Sequence, residues 1–111
     1  MDKSVFVVSE WLAQKGKDQE LWNQLKKIMD LSLEQEVGCL QARATRQIEH
    51  SGSPGKSKYN IVLLQEYLNI EAFDIHCKAD YVINFFKKYI ENEADSLVKE
   101  WTCRLFSEEN R

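Results

Sequence analysis

Apolar residues along this chain change period several times, and the changes mark its elements. From Ser4 to Ala13, Val5, Phe6, Val7, Val8, Trp11 and Leu12 form a β-branched and aromatic run that predicts a first strand. The turn Gln14-Lys15-Gly16-Lys17 follows, and Asp18 starts a helix with Glu20 in its opening turn. Leu21, Trp22, Leu25, Ile28, Met29 and Ser32 then recur at helical spacing to about Glu36. Gly38 ends that segment. A second strand is expected over Cys39–Ile48, a polar loop over His50–Ser57, and a third strand over Tyr59–Leu68, with Asn69 capping the next helix. Residues Ile70 to Asn92 read as two helical pieces broken near Ala79-Asp80; Val82, Ile83, Phe85, Phe86, Tyr89 and Ile90 give the second a broad apolar stripe. Ser96–Phe106 reads as the last strand and Ser107–Arg111 as a frayed polar tail.

The order β-α-β-β-α-β predicts an α+β, ferredoxin-like sandwich: a four-stranded antiparallel sheet with its helices on one face. At 111 residues the chain is one domain, residues 1–111, with a core over about 4–106. A sheet covered on one side alternates apolar and polar residues. Here Val5, Val7 and Trp11 oppose Phe6, Val8 and Leu12 in the first strand, and Tyr59, Ile61, Leu63 and Tyr67 oppose Val62, Leu64 and Leu68 in the third. Both faces are greasy, and the chain's own helices cover one. Six large side chains at about 1.5–3 kcal/mol each leave burial of roughly 10 kcal/mol unused. A homodimer joined by sheet-to-sheet packing is the economical expectation.

Composition narrows the function classes. Hydrophobic residues make up 43% and charged residues 30% of the chain, and the net charge is -3, with no face-sized cluster of Lys or Arg; Lys26-Lys27 and Lys87-Lys88 are isolated pairs. That argues against a nucleic-acid footprint or an anionic-membrane surface. Apolar runs reach four residues, as in Val5–Val8, far short of a membrane span. No signal peptide is apparent, and three widely spaced cysteines, Cys39, Cys77 and Cys103, read as free thiols in a reducing cytoplasm. No spacing points to a metal, and no GxGxxG follows a strand, so neither metal nor cofactor is expected. Gly55-Lys56-Ser57 copies only the tail of a phosphate loop, with His50 where its leading glycine belongs.

The candidate chemistry gathers at Gln65-Glu66-Tyr67-Leu68-Asn69-Ile70-Glu71-Ala72-Phe73-Asp74-Ile75-His76, a strand running into a helix. His76 is the candidate general base, since imidazole titrates near neutrality. Tyr67, at the strand's end, is the candidate partner that orients a substrate oxygen. If Tyr67 faces a pocket, the two-residue alternation brings Gln65 and Leu63 with it and sends Glu66 to the other side. Ser9 and Trp11 share a face of the first strand, with Glu10 opposite, and Arg43 is a candidate anion holder.

Lys15-Gly16-Lys17 after the first strand, Glu36-x-Gly38-Cys39-Leu40, and Tyr67-x-x-x-Glu71-Ala72-Phe73-x-x-His76 occur in an order that resembles the antibiotic biosynthesis monooxygenase family, across roughly residues 4–106. The resemblance implies a dimeric α+β barrel. It also implies one of the family's activities: cofactor-free oxygenation of phenols and quinols, haem degradation, or isomerisation of a signalling sugar derivative. Two departures stand out. Gln65 sits where members often carry glutamate, and Tyr81 where many carry a second histidine. Ser9, Tyr67 and Phe86 occupy the places of the haem-degrading relatives' asparagine, tryptophan and iron-binding histidine, so haem is not expected. The resemblance thus implies His76 and Tyr67 as catalytic residues and Ser9, Trp11, Gln65, Phe73, Tyr81 and Phe86 as substrate-binding ones. The expected ligand is a small aromatic molecule. The alternatives are an isomerase of a small hydroxyketone and a non-catalytic ligand-binding dimer.

Overall fold

In a computed structural model, residues 3–108 are described. They form β1 (Val5–Ala13), α1 (Asp18–Gln35), β2 (Cys39–Arg46), β3 (Ile61–Tyr67), α2 (Ile70–Cys77), α3 (Asp80–Phe86) and β4 (Val98–Phe106). The sheet order is β2-β3-β1-β4, and every neighbouring pair is antiparallel. This is the α+β, ferredoxin-like architecture with a four-stranded sheet. The expected tail falls partly outside the described residues, which stop at Glu108.

Local chemistry explains each boundary. Gly16 takes φ +77 in the β1–α1 turn, a left-handed conformation that a side chain disfavours. Leu21, Leu25, Ile28, Met29 and Ser32 are the buried stripe of α1. The Asn69 side chain accepts the Ala72 N–H at 2.9 Å, capping α2 as its sequence position promised. The ladder between β2 and β3 is shorter than expected at both ends. Ile48 lies outside it and is 82% exposed, while the Gln47 side chain instead clamps the Ser57 backbone at 2.8 and 2.9 Å. After α3 the chain continues through one π turn, Lys87–Glu91, and a 3-10 turn, Glu93–Asp95, that delays β4 to Val98.

Register divides the sheet into two unlike faces. Val5, Val7, Ser9 and Trp11 of β1 and Ile61, Leu63, Gln65 and Tyr67 of β3 lie buried under the helices. On the other face, Phe6, Val8, Leu12 and Val62 are half-buried and Leu64 is exposed. The expectation of an unbroken apolar face needs correcting, because β4 lays a polar strip beside it. Glu100, Thr102 and Arg104 pair with Leu12, Glu10 and Val8. Arg104 Nη2 meets Glu10 Oε1 at 2.9 Å, and Thr102 Oγ1 donates to the same carboxylate at 3.2 Å. The uncovered face is therefore an apolar centre with a charged margin, the usual make-up of a protein interface.

Gly38 governs how closely two distant segments approach. A Cβ there would lie 2.5 Å from the Ala72 Cβ, so only glycine lets the start of β2 close on α2. That closure sets Glu36, two residues upstream, against His76, one turn beyond Ala72.

Candidate functional site

A cavity of about 180 Å³ lies between the sheet and the helices. Ser9, Trp11, Gln65, Phe73, His76 and Phe86 all contribute to its wall. The rest of the wall is largely apolar: Leu25, Ile28 and Met29 from α1, Val82 and Phe85 from α3, and Val7 and Leu63 from the sheet. Cys77 and Cys103 also reach it.

The strongest polar feature is a buried acid–base pair. His76 Nδ1 lies 3.0 Å from Glu36 Oε2 and 3.2 Å from Oε1, with Ser32 Oγ also at 3.2 Å. Both His76 and Glu36 are at least nine-tenths buried. The Tyr81 hydroxyl donates to the same Glu36 carboxylate. A carboxylate at Nδ1 fixes the imidazole with its proton on that nitrogen and leaves Nε2 as the basic one. No buried nitrogen or oxygen among the described residues lacks a partner. His76 Nε2 bonds to no described residue and keeps some accessible surface, and His76 lines the cavity.

Two tyrosines stand outside the cavity wall. Tyr67 is completely buried, donates its hydroxyl to Gln65 Oε1 at 2.7 Å, and packs its ring 5.3 Å from that of His76. It supports the site from behind and touches no open space there. Burial, reinforced by Cys39 and Glu36, holds its phenol well above the ordinary tyrosine range. Tyr81 belongs to an outer groove with Lys27 and Lys88, and its part in the site is to hold Glu36. Burial and the Glu36 hydrogen bond push the Tyr81 phenol up to about 12. Arg43 pairs with Leu64 on the uncovered face of the sheet, so it holds nothing in the cavity.

The far end of the cavity is aromatic. Trp11 and Trp101 stack with centroids 5.3 Å apart, and Phe86 meets Trp101 edge-on at 5.1 Å. The Trp11 indole donates to Ser9 Oγ at 2.9 Å. Cys103 lies directly across from Ser9 on β4. Burial raises the Cys103 thiol, and burial followed by the nearness of Cys103 raises that of Cys77.

Glu36 and Ser32 are the site residues that sequence reasoning missed. Ser32 carried a readable signal, a polar residue on the apolar stripe of α1. Glu36 carried one only as part of its turn motif, because nothing in the spacing brings position 36 to position 76.

No protein-family model matches the chain, and no curated protein does. Solved structures do match across nearly the whole length. A conserved protein from Methanosarcina mazei is 20% identical, covers 96% of this chain and 94% of its own, and superposes with a TM-score of 0.74. A dimeric protein of unknown function and ferredoxin-like fold from Bacteroides fragilis is 12% identical over 94% of this chain and 95% of its own, with a TM-score of 0.70. A protein from Bacteroides thetaiotaomicron, provisionally named an antibiotic biosynthesis monooxygenase, is 20% identical over 97% of this chain and 90% of its own, at 0.65. The chain has their fold. At such identities the likeness concerns architecture, and activity must be argued from the site. No helix among the described residues is long and apolar enough to cross a membrane.

Proposed function

We propose that the chain is a cofactor-independent monooxygenase of a small phenolic or quinol substrate, acting as a homodimer. The observation that carries this reading is the buried Glu36–His76 pair, whose imidazole belongs to a residue lining an apolar cavity. His76 Nε2 takes the phenolic proton, and the Glu36 carboxylate at Nδ1 stabilises the imidazolium that forms. The resulting phenolate is electron-rich enough to pass an electron to O₂ directly. For a hydroquinone, one oxygen atom enters the ring and the other leaves as water, all four electrons coming from the substrate.

Gln65 and Ser9 orient the substrate, while Trp11, Phe73 and Phe86 keep water from the intermediates. Size supports a single ring: an apolar cavity of about 150 Å³ accepts benzene, and this one measures about 180 Å³. The half-buried apolar centre of the sheet supports pairing with a second copy, and the three free thiols fit a reducing cytoplasm.

Oxygen uptake with a panel of hydroquinones and naphthols tests the reaction. Uptake is expected with single-ring substrates, and His76→Ala is expected to lose at least about a hundredfold in rate. A smaller loss rejects the mechanism. Turnover of a hydroxyketone under argon favours an isomerase built on the same pair. Light scattering at micromolar concentration tests the dimer, and a monomeric mass overturns it.

A further inference from the structure

The polar groups facing the cavity each have a hydrogen-bonding role fixed by a neighbour. Tyr67 has one hydroxyl proton and donates it to Gln65 Oε1 at 2.7 Å. The amide carbonyl is thereby turned back toward Tyr67 and the NH₂ group forward. Gln65 Nε2 bonds to no described residue, yet no buried nitrogen among the described residues is left unpartnered. It therefore keeps some accessible surface, on a residue that lines the cavity. Ser9 accepts the Trp11 indole proton and keeps its own to donate. His76, held at Nδ1 by Glu36, presents an acceptor. Ser9, Gln65 and His76 are 3%, 7% and 7% exposed, so each group is largely shielded from bulk water. Gln65 pairs across the sheet with Val7 and Ser9 with Leu63, which sets the two donors diagonally on neighbouring strands of one face.

We propose that Tyr67 is a positioning residue that sets the polarity of this cavity through Gln65, and that the ligand is an aromatic ring carrying one hydroxyl and one carbonyl group. The hydroxyl gives its proton to His76 Nε2, and the carbonyl oxygen accepts from Gln65 Nε2 and Ser9 Oγ. This rests on the phenol reading and narrows it. A plain phenol satisfies His76 but leaves the Gln65 donors buried and unpaired. An aryl ketone does the reverse. A buried donor without a partner weakens binding by roughly tenfold to a hundredfold, so a ligand meeting both needs is preferred. Tyr67 holds its proton across the working pH range, so the polarity is constant.

Calorimetric titration tests this without turnover. The probes are the three hydroxyacetophenones, their methyl ethers, phenol and acetophenone. At least one hydroxyacetophenone is expected to bind about tenfold more tightly than phenol, acetophenone and its own methyl ether. Gln65→Leu is expected to erase the advantage over phenol and keep the advantage over the methyl ether. Tyr67→Phe frees the amide to turn, and is expected to shrink the advantage over phenol to within about threefold while phenol itself binds as before. A uniform loss across all probes in Tyr67→Phe would mean a merely structural role and overturn the proposal. So would a wild-type protein that does not discriminate among the probes. Thermal melts verify folding, and Gln65→Leu decides the matter if Tyr67→Phe does not fold. Discrimination without oxygen uptake sinks the oxygenase reading and leaves the polarity assignment standing.

Discussion

The two ends of the cavity are built on opposite principles. At the α2 end, Ser32, Glu36, His76 and Tyr81 come from three helices and the α1–β2 turn and are tied by directed hydrogen bonds. At the β4 end, Trp11, Phe86 and Trp101 meet only through their faces and edges, and Trp101 is 41% exposed. Hydrogen bonds fix angles and protonation roles, and in a buried setting they tolerate little loss. Aromatic contacts supply area and shape and tolerate exchange. On the proposed function, the contrast assigns polar recognition and proton transfer to one end and accommodation of the ligand's shape to the other.

Four changes should break or sharpen that contrast. Glu36→Gln should strike hardest: its amide disturbs the imidazole's tautomer, and turnover should fall by about a hundredfold or more with little change in KM, measured by steady-state kinetics. Next comes Gly38→Ala, whose methyl group meets Ala72 at 2.5 Å. It should cost roughly 1–3 kcal/mol in urea unfolding and loosen Glu36 from His76. The double change Gly38→Ala with Ala72→Gly should recover much of that stability, and no recovery would contradict the steric account.

Alkaline pH should act more gently. Tyr67 and Tyr81 bind their protons more tightly folded than unfolded, so their contribution is complete below the ordinary tyrosine value of 10.0; that of Tyr81 drains away as pH rises toward about 12, and that of Tyr67 persists to still higher pH. The urea midpoint should decline over that window, and Tyr81→Phe should flatten the decline. An unchanged slope would mean that the Tyr81–Glu36 contact is absent in solution. Trp101→Leu should be mildest, raising KM several-fold while leaving kcat within about twofold.

Much of this was legible beforehand because it is local. The 3.6-residue stripe of α1, the Asn69 cap and the alternation in β1 and β3 depend on near neighbours, and they predicted the elements and the sheet's covered face. What escaped is long-range. The polar strip of β4 could not be weighed from β1 and β3 alone, and it changes the uncovered face from uniformly greasy to bordered. The partnership of residues 36 and 76 depends on a glycine 34 positions from the alanine it admits, Gly38 against Ala72. Tyr67 was expected to meet the ligand, because alternation gives the face of the sheet and not the depth beneath the surface. Its neighbours Phe73 and His76 roof it over, so Gln65 becomes the group in front.

β4 is the last strand in the sheet, nine residues long, with Trp101, Leu105 and Phe106 all substantially uncovered. Its outer row of amides and carbonyls is a ready template for any extended chain that drifts alongside. Lys99 and Arg104 interrupt it with charge, which blunts stacking of one copy onto the next. Stripping those two charges should turn a well-behaved solution cloudy long before it affects the melting point.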